Sequence, residues 1–296
     1  MGDGVVDERG RLRVMTLNAL APGHADWPHR REVLRERIAA VDPDVLALQE
    51  VRAQDVADLA GPGRSVVAHR ATSDDGVGAV LTSRWPLRPV REVDLHVDDR
   101  VGLPWSAAVL AEVEVPGPVG PVLLVHHKPT WELGRALERE LQAVRCARAV
   151  EEELAGRGRA APRHVVLLGD LDDPPESASV RFLTGRQSLH GTSVAYRDAW
   201  EVTWPDAPGH TFTPANPLVR AGEMPTELGR RIDYVLVRCG AHGPSLEVAR
   251  CFRVLDAAVG GVWASDHFGV VADLRLPAHP PGSWAPAASQ PGLRWI

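Results

Sequence analysis

The sequence predicts an α/β fold whose strands deliver polar side chains to one shared rim. Three observations carry this expectation. Short apolar runs alternate with amphipathic helical segments along the chain, with no clear break in composition. Several of those runs stop at a carboxylate, an amide or a histidine. The 296 residues, 44% hydrophobic and 24% charged, hold ample material for a large core. Residues 1–276 read as one domain, and 277–296, rich in Pro, Ala, Gly and Ser, read as a loose tail that Trp284 and Trp295 could pin locally.

Arg11–Asn18 alternates and reads as a strand that ends before the Pro22-Gly23 breaker. Arg30 to Ala40 places Val33, Leu34, Arg37 and Ile38 on one helical face. Val45 to Leu48 is a second buried strand, running into Gln49-Glu50, and Ala53 to Ala60 reads as a helix stopped by Gly61-Pro-Gly63. Short strands are expected at Ser65–His69, Gly78–Thr82, Val90–His96 and Trp105–Val115, each bounded by Gly, Pro or Asp. Val122 to Val125 is a further apolar strand, followed by His126-His127-Lys128-Pro129. Glu132 to Leu154 carries apolar residues at 133, 137, 141, 144 and 150 and reads as a long helix. The most informative stretch is His164 to Pro175. Its β-branched core, Val165 to Leu168, reads as a strand buried on both faces, and Gly169 ends it ahead of Asp170, Asp172 and Asp173. Pro174 and Pro175 forbid its continuation, and Ser177 supplies cap chemistry for a following helix. Residues 185–230 are turn-rich. Arg231–Val237, Leu246–Val254 and the run that follows Ser265-Asp266-His267 complete the strands.

Composition excludes several classes. A net charge of −6 argues against a generic nucleic-acid binder with a basic excess, while leaving room for a locally basic groove. Cysteines at 146, 239 and 251 form neither a disulfide framework nor a metal-type spacing, which suits a reducing compartment. No apolar run reaches 18 residues, so no membrane span is expected. Residues 1–10 lack the apolar centre of a signal peptide, and a cytoplasmic location follows by default. No obligate protein partner is evident.

One acid at a strand end is unremarkable, but here Asn18, Glu50, His127 and Asp170 each sit where an apolar strand stops, with Asp233, Asp266 and His267 at strand starts. Open α/β sheets place their sites on such rims. The hard oxygens of Glu50, Asp170, Asp172 and Asp266, with the Asn18 amide, suit Mg²⁺ or Mn²⁺; zinc is disfavoured by the lack of HExxH or clustered Cys. With histidines available for proton transfer or phosphate binding, metal-assisted hydrolysis of a phosphate ester is the natural expectation.

Leu17-Asn18, Gln49-Glu50, the strand ending in His127, Gly169-Asp170-Leu171-Asp172, Arg231-Ile-Asp233-Tyr and Ser265-Asp266-His267 occur in that order between residues 11 and 275. In this order and spacing the chain resembles the endonuclease/exonuclease/phosphatase superfamily, the DNase I-like fold. The resemblance implies a four-layer α/β/β/α sandwich, two packed mixed β-sheets flanked by helices. It implies that Glu50 binds the metal with Asn18 close to it and to the phosphate, and that Asp266 is a second ligand or supports the first. It implies that Asp170 orients or deprotonates the attacking water, that Asp233 holds His267 in its tautomer against the phosphate, and that His127 hydrogen-bonds a phosphate oxygen. His126, on the opposite strand face, is then a core or outward-facing residue. Lys128 either neutralises phosphate charge or is surface, and His210 and Thr211 lie where relatives often contact substrate. Asp173 is expected to face solvent.

One departure stands out: the family usually has Asn where this chain has Asp172. An amide donates hydrogen bonds, whereas an ionised carboxylate only accepts and repels a phosphate. Asp172 is therefore expected either to bind metal, favouring a second ion, or to be protonated. The substrate expectation is a nucleic acid, a nucleotide or a small phosphodiester. A phospholipid or small phosphomonoester is the alternative, with 101–105 and Val262-Trp263 as candidate apolar loops. A non-catalytic binding module of the same fold is the rival from another class. Buried acids at positions 50, 170 and 233 count against it, since a module relieved of catalysis has no need of them.

Overall fold

The structure, a computed structural model, describes residues 10–284. Residues 1–9 and most of the expected tail, 285–296 with Trp295, lie outside the described residues. Along the chain run β1 (Leu12–Asn18), α1 (Trp27–Val41), β2 (Val45–Arg52), α2 (Val56–Ala60), β3 (Ser65–Ala68), β4 (Val77–Ser83), β5 (Leu87–Asp94), β6 (Ala107–Val115) and β7 (Gly120–Lys128). There follow α3 (Ala136–Arg157), β8 (His164–Asp170), α4 (Ala178–Leu183), β9 (Tyr196–Asp198), α5 (Ala199–Thr203), α6 (Pro217–Ala221), β10 (Asp233–Gly240), β11 (Gly243–Pro244), β12 (Glu247–Val254) and β13 (Gly269–Arg275).

The strands form two mixed sheets. The first runs β12-β13-β1-β2-β4-β3; the second runs β11-β10-β8-β7-β6-β5, with β9 added beside β10. β1–β2 and β7–β8 pair in parallel and every other pair is antiparallel. Period-2 alternation explains how the layers stack. Leu12 and Val14, Val45 and Ala47, Val122 and Leu124, Val166 and Leu168, and Val235 and Val237 point inward and form one core between the sheets. The intervening residues point outward. Met15, Leu17, Leu46 and Leu48 pack beneath α1 and α2, and Leu123, Val125, Val165 and Leu167 beneath α3 and α4. This is the expected four-layer sandwich.

The helices are less regular than their patterns suggest. On α1 the buried polar residue is Arg30, whereas Arg37 is exposed. Arg30 is held because its guanidinium donates to the carbonyls of Ala19, Leu20, Ala21, His24 and Ala264, tying the segment after β1 to the one before β13. The expected apolar stripe at 133, 137, 141, 144 and 150 holds only in its second half, where Val144 and Val150 are buried. The helix starts at Ala136, Leu133 and Leu137 are exposed, and its buried face carries Arg139 and Gln142. These polar side chains are buried because each has partners: Arg139 pairs with Asp173 at 2.7 Å, and Gln142 donates to Leu95 O and accepts from Thr130 N. Asp173, expected in solvent, is buried by that pair and by a 2.5 Å bond from Ser179 Oγ.

Candidate active site

Both sheets present their inward-facing strand ends at the same edge. Asn18 continues the inward face of β1, Lys128 that of β7, Asp170 that of β8 and Asp233 that of β10. Glu50 would point outward by strict alternation, because Gln49 faces inward and bonds to Thr16 and His126. A break in the β2–β4 register between Gln49 and Val51, with Glu50 at φ +59°, turns it to the rim. Asp172 has φ +56°. With Leu20 at φ +56° and Ala25 at φ +49°, four non-glycine residues in the left-handed region line one pocket, the kind of local strain that sites hold. Gly169 has a different reason: a Cβ there would lie 2.1 Å from His127 O, so only glycine lets β8 approach β7 at this level.

Hydrogen bonds join the two sheets across the rim. Asn18 Nδ2 donates to Glu50 Oε1 at 2.8 Å and to Asp170 Oδ2 at 3.1 Å, while its Oδ1 accepts from Leu20 N at 3.0 Å. Glu50 Oε2 accepts from Ala21 N at 3.1 Å. Lys128 Nζ donates to Asp170 Oδ2 at 2.8 Å and to Asp172 Oδ2, and Asp172 N donates to Asp170 Oδ1 at 3.2 Å. His267 Nδ1 pairs with Asp233 Oδ2 at 2.9 Å, which leaves Nε2 as the ring's second polar atom. Ser265 Oγ accepts from His267 N and donates to Asn18 O, and Asn216 holds the Ser265 carbonyl; these bonds seat the loop before β13.

The electrostatics follow from burial and charge. Burial alone would raise Asp170, but the charges of Lys128 and His267 and the hydrogen bonds from Lys128 and Asn18 hold it down at about 2. Burial and the Asp170 charge push Asp172 up to about 7 against the pull of Lys128. Burial opposes the Lys128 ammonium, and Asp170, Asp172 and Glu50 outweigh it, so Lys128 stays charged. Burial would lower His267, but the charges of Asp233 and Asp170, the Asp233 hydrogen bond and Asp266 lift it to about 10. Burial, opposed by His267, raises Asp233 as well. The pair competes for one proton, and we place it on the imidazole, which has three carboxylates around it.

A cleft of about 490 Å³ opens over these groups and is walled by Leu103, Trp105, Trp131, Phe212, Leu218 and Met224. The volume is that of a small-molecule or nucleotide pocket.

The rim brings together Asn18, Glu50, Lys128, Asp170, Asp172, Asp233, Asp266 and His267. His127 does not join them. The alternation that turns Leu123 and Val125 under α3 turns His127 the same way, against Arg139, Ala143 and Leu183. Burial, with the charges of His69 and Lys128, lowers it to about 3, so it is a neutral core histidine. His126 faces inward between the sheets, with Gln49 and His69. His210 and Thr211 do not line the cleft either. Thr211 Oγ1 accepts from the amides of Ile232 and Asp233, so it fixes the start of β10. The His210 carbonyl accepts from Arg253. The role of Lys128 was legible in principle: it sits two and four residues from His126 and Leu124, on their strand face.

Among the described residues, Asp170, Asp233 and His267 bring potential ligand atoms within 4.8 Å of one another. The Asp233–His267 hydrogen bond accounts for part of that closeness. Glu50 and Asp266 form a different pair. Burial and the Glu50 charge raise Asp266 against the pull of His267, and neither carboxylate makes an ion pair among the described residues; Arg30 nearby turns its two terminal nitrogens onto carbonyls. Hard carboxylate oxygens without an ion pair at a cleft suit a divalent cation such as Mg²⁺ or Mn²⁺.

Fold and rim together define a four-layer α/β sandwich with acids and a histidine gathered at one cleft. The model of the Endonuclease/Exonuclease/phosphatase family matches residues 15–267, and the chain belongs to that family. Its members are hydrolases that act on phosphoesters. Solved structures share the fold. They include D. rerio TDP2 complexed with single-strand DNA product (TM-score 0.67, 19% identity, 90% of this chain and 99% of that one). The human Nocturnin catalytic domain with bound sulfate is similar at TM-score 0.64 and 17% identity, covering 90% and 95%. An endonuclease/exonuclease/phosphatase from Bacteroides vulgatus gives 0.64 and 22%, covering 90% and 100%. No curated protein sequence matches the chain. No helix among the described residues is long and apolar enough to cross a membrane.

Proposed function

We propose that this protein is a divalent-metal-dependent phosphodiesterase acting on a nucleic acid or nucleotide derivative, with residues 1–276 as its single catalytic domain. The observation that carries the reading is the convergence of Asp170 and His267 on one cleft, each held by its own buried partners. Glu50 and Asp266, with Asn18 beside them, would hold Mg²⁺ or Mn²⁺. Such an ion, when bound, polarises a phosphate oxygen and makes bound water more acidic.

The remaining steps belong to the chain. Asp170, kept ionised by Lys128 and Asn18, accepts a hydrogen bond from the attacking water and aligns it. A carboxylate held at about 2 is a weak proton acceptor, so orientation is its larger contribution. His267, charged at neutral pH, donates from Nε2 to the phosphate, where negative charge grows in the transition state. Asp233 keeps the ring turned and charged. The single-strand DNA product held by the TDP2 neighbour supports a nucleic-acid or nucleotide substrate, and the aromatic wall of Trp105, Trp131 and Phe212 suits a base.

A second reading has one observation in its favour. Trp131, which lines the cleft, is exposed, and so are Leu133 and Leu137 a few residues further along the chain, which suits an amphiphilic phosphodiester such as a phospholipid. The 101–105 segment does not supply that surface, because Val101, Leu103 and Trp105 are buried.

The test is Mg²⁺- and Mn²⁺-dependent hydrolysis of bis-p-nitrophenyl phosphate beside p-nitrophenyl phosphate, for wild type and Asp170→Asn. Diester turnover that falls at least ~100-fold in the variant is expected. Full turnover in Asp170→Asn would overturn the mechanism, and monoester turnover alone would redirect the reading to a phosphatase.

A further inference from the structure

Asp172 stands where the family pattern has an amide, and the structure pairs it with a lysine. Lys128 is 2% exposed, and its ammonium lies between Asp170 and Asp172. Burying an ammonium is costly unless it is paired and hydrogen-bonded. With an amide at 172 the buried cation would keep only one directly bonded counter-charge. With Asp172 it has two, and the carboxylate that would repel a phosphate is turned onto the ammonium. The two unusual features of this rim therefore make one device.

Resting on the reading that Glu50 and Asp266 hold a divalent ion, we propose that Lys128 is a built-in cation. It fills the place between Asp170 and Asp172 that a second divalent ion would otherwise take, and so limits the site to one exchangeable ion. The backbone supports the placement. Strand alternation delivers Lys128 to the inward face, and Gly169 lets β8 come close enough to β7 for the bond. Asp172 is held in a left-handed conformation that turns its own amide onto Asp170 and its carboxylate onto the ammonium. An ammonium has three donors. Two are engaged by the carboxylates, and the third remains for a phosphate oxygen in the cleft that Lys128 helps to line. Hard carboxylate oxygens freed from that ammonium are the donor set that Mg²⁺ and Mn²⁺ take.

The experiment is Mn²⁺ titration of the EDTA-stripped protein by calorimetry, with Mn²⁺ electron paramagnetic resonance on the same samples. Wild type and Lys128→Arg are expected to bind one ion each, with an uncoupled Mn²⁺ signal. Lys128→Met is expected to bind two, and Lys128→Met combined with Glu50→Gln to bind one. Two ions with a spin-coupled signal in wild type would overturn the proposal, and that result does not depend on any variant folding. One ion in both wild type and folded Lys128→Met would overturn it too. No ion in wild type but one in Lys128→Met would instead overturn the Glu50–Asp266 reading and support the built-in cation, so the two failures are distinguishable.

Discussion

Replacing Asp233 with Asn should uncouple His267 from its charge. The carboxylate oxygen lies 2.9 Å from His267 Nδ1, inside a fully buried pair. At an effective dielectric of about 20, two unit charges at that distance attract by about 6 kcal/mol, equivalent to roughly 4 pKa units. Asp233 is thus the strongest of the upward pulls on His267, which with Asp170 and Asp266 lift it from 6.5 to about 10 against its burial. Asn keeps the shape and can accept the Nδ1–H bond, but it removes the charge. His267 should then titrate in the ordinary histidine range or below, and near pH 8 the variant's imidazole should be almost wholly neutral. Diester kcat/KM at about pH 8 should fall roughly 100-fold and recover partly towards pH 6, where wild type stays flat. Linkage fixes the sign for the metal-free protein. A histidine raised in the folded state adds stability that is fully present below about 6.5 and is lost as pH rises through about 10. Wild-type melting temperature should therefore decline over that window, and the variant's should decline much less. Imidazole NMR of the EDTA-treated proteins reads the titration directly. A His267 signal that titrates in Asp233→Asn within half a unit of its wild-type midpoint would refute the reasoning.

Two further outcomes follow from single contacts. Gly169→Ala places a methyl 2.1 Å from His127 O, so β7 must move. Overpacking and the unfavourable backbone together should cost roughly 3–5 kcal/mol and lower the melting temperature by about 10 °C, with loss of activity; a melt within 2 °C of wild type would show that the sheets are less closely set. Glu50→Gln keeps one oxygen for Ala21 N or Asn18 but loses the charge. Calorimetric Mn²⁺ affinity should drop at least ~10-fold while the melt changes little, and unchanged affinity would move the ion elsewhere on the rim.

The fold was legible because period-2 alternation is a local property. Val122 to Val125 and Val165 to Leu168 declare two buried faces whatever lies around them. Alternation also held the information about the site, and it was misapplied at His126-His127-Lys128. Choosing His127 by motif put the phosphate ligand on the helix side of the sheet; counting from the inward Leu124 would have selected Lys128. Glu50 is the reverse case. Alternation turns it away from the rim, and only a bulge brings it back, so motif order succeeded where period failed. Arg139, Gln142 and Asp173 were unreadable for a third reason. A buried polar residue looks like a surface one until its partner is known, and those partners lie 6 to 47 residues away.

Asp172 shows how a departure from a family pattern is best read. Taken alone, a carboxylate in place of an amide suggested either a second metal ion or a protonated acid. The lysine takes the place of the second ion, because Lys128 lies against both Asp170 and Asp172; one ammonium leaves a net negative charge, and the rise of Asp172 to about 7 fits a proton shared with this acid. If the pair is one device, each half should be worse alone than both changes together. Lys128→Met leaves two buried carboxylates facing each other, and Asp172→Asn leaves a buried ammonium with one partner, whereas the double variant has neither defect. Removing one partner of a buried pair costs about 3–5 kcal/mol, while replacing both groups is often nearly neutral. Strong non-additivity is therefore required of Lys128 and Asp172, and it is the property that separates a matched substitution from two independent ones.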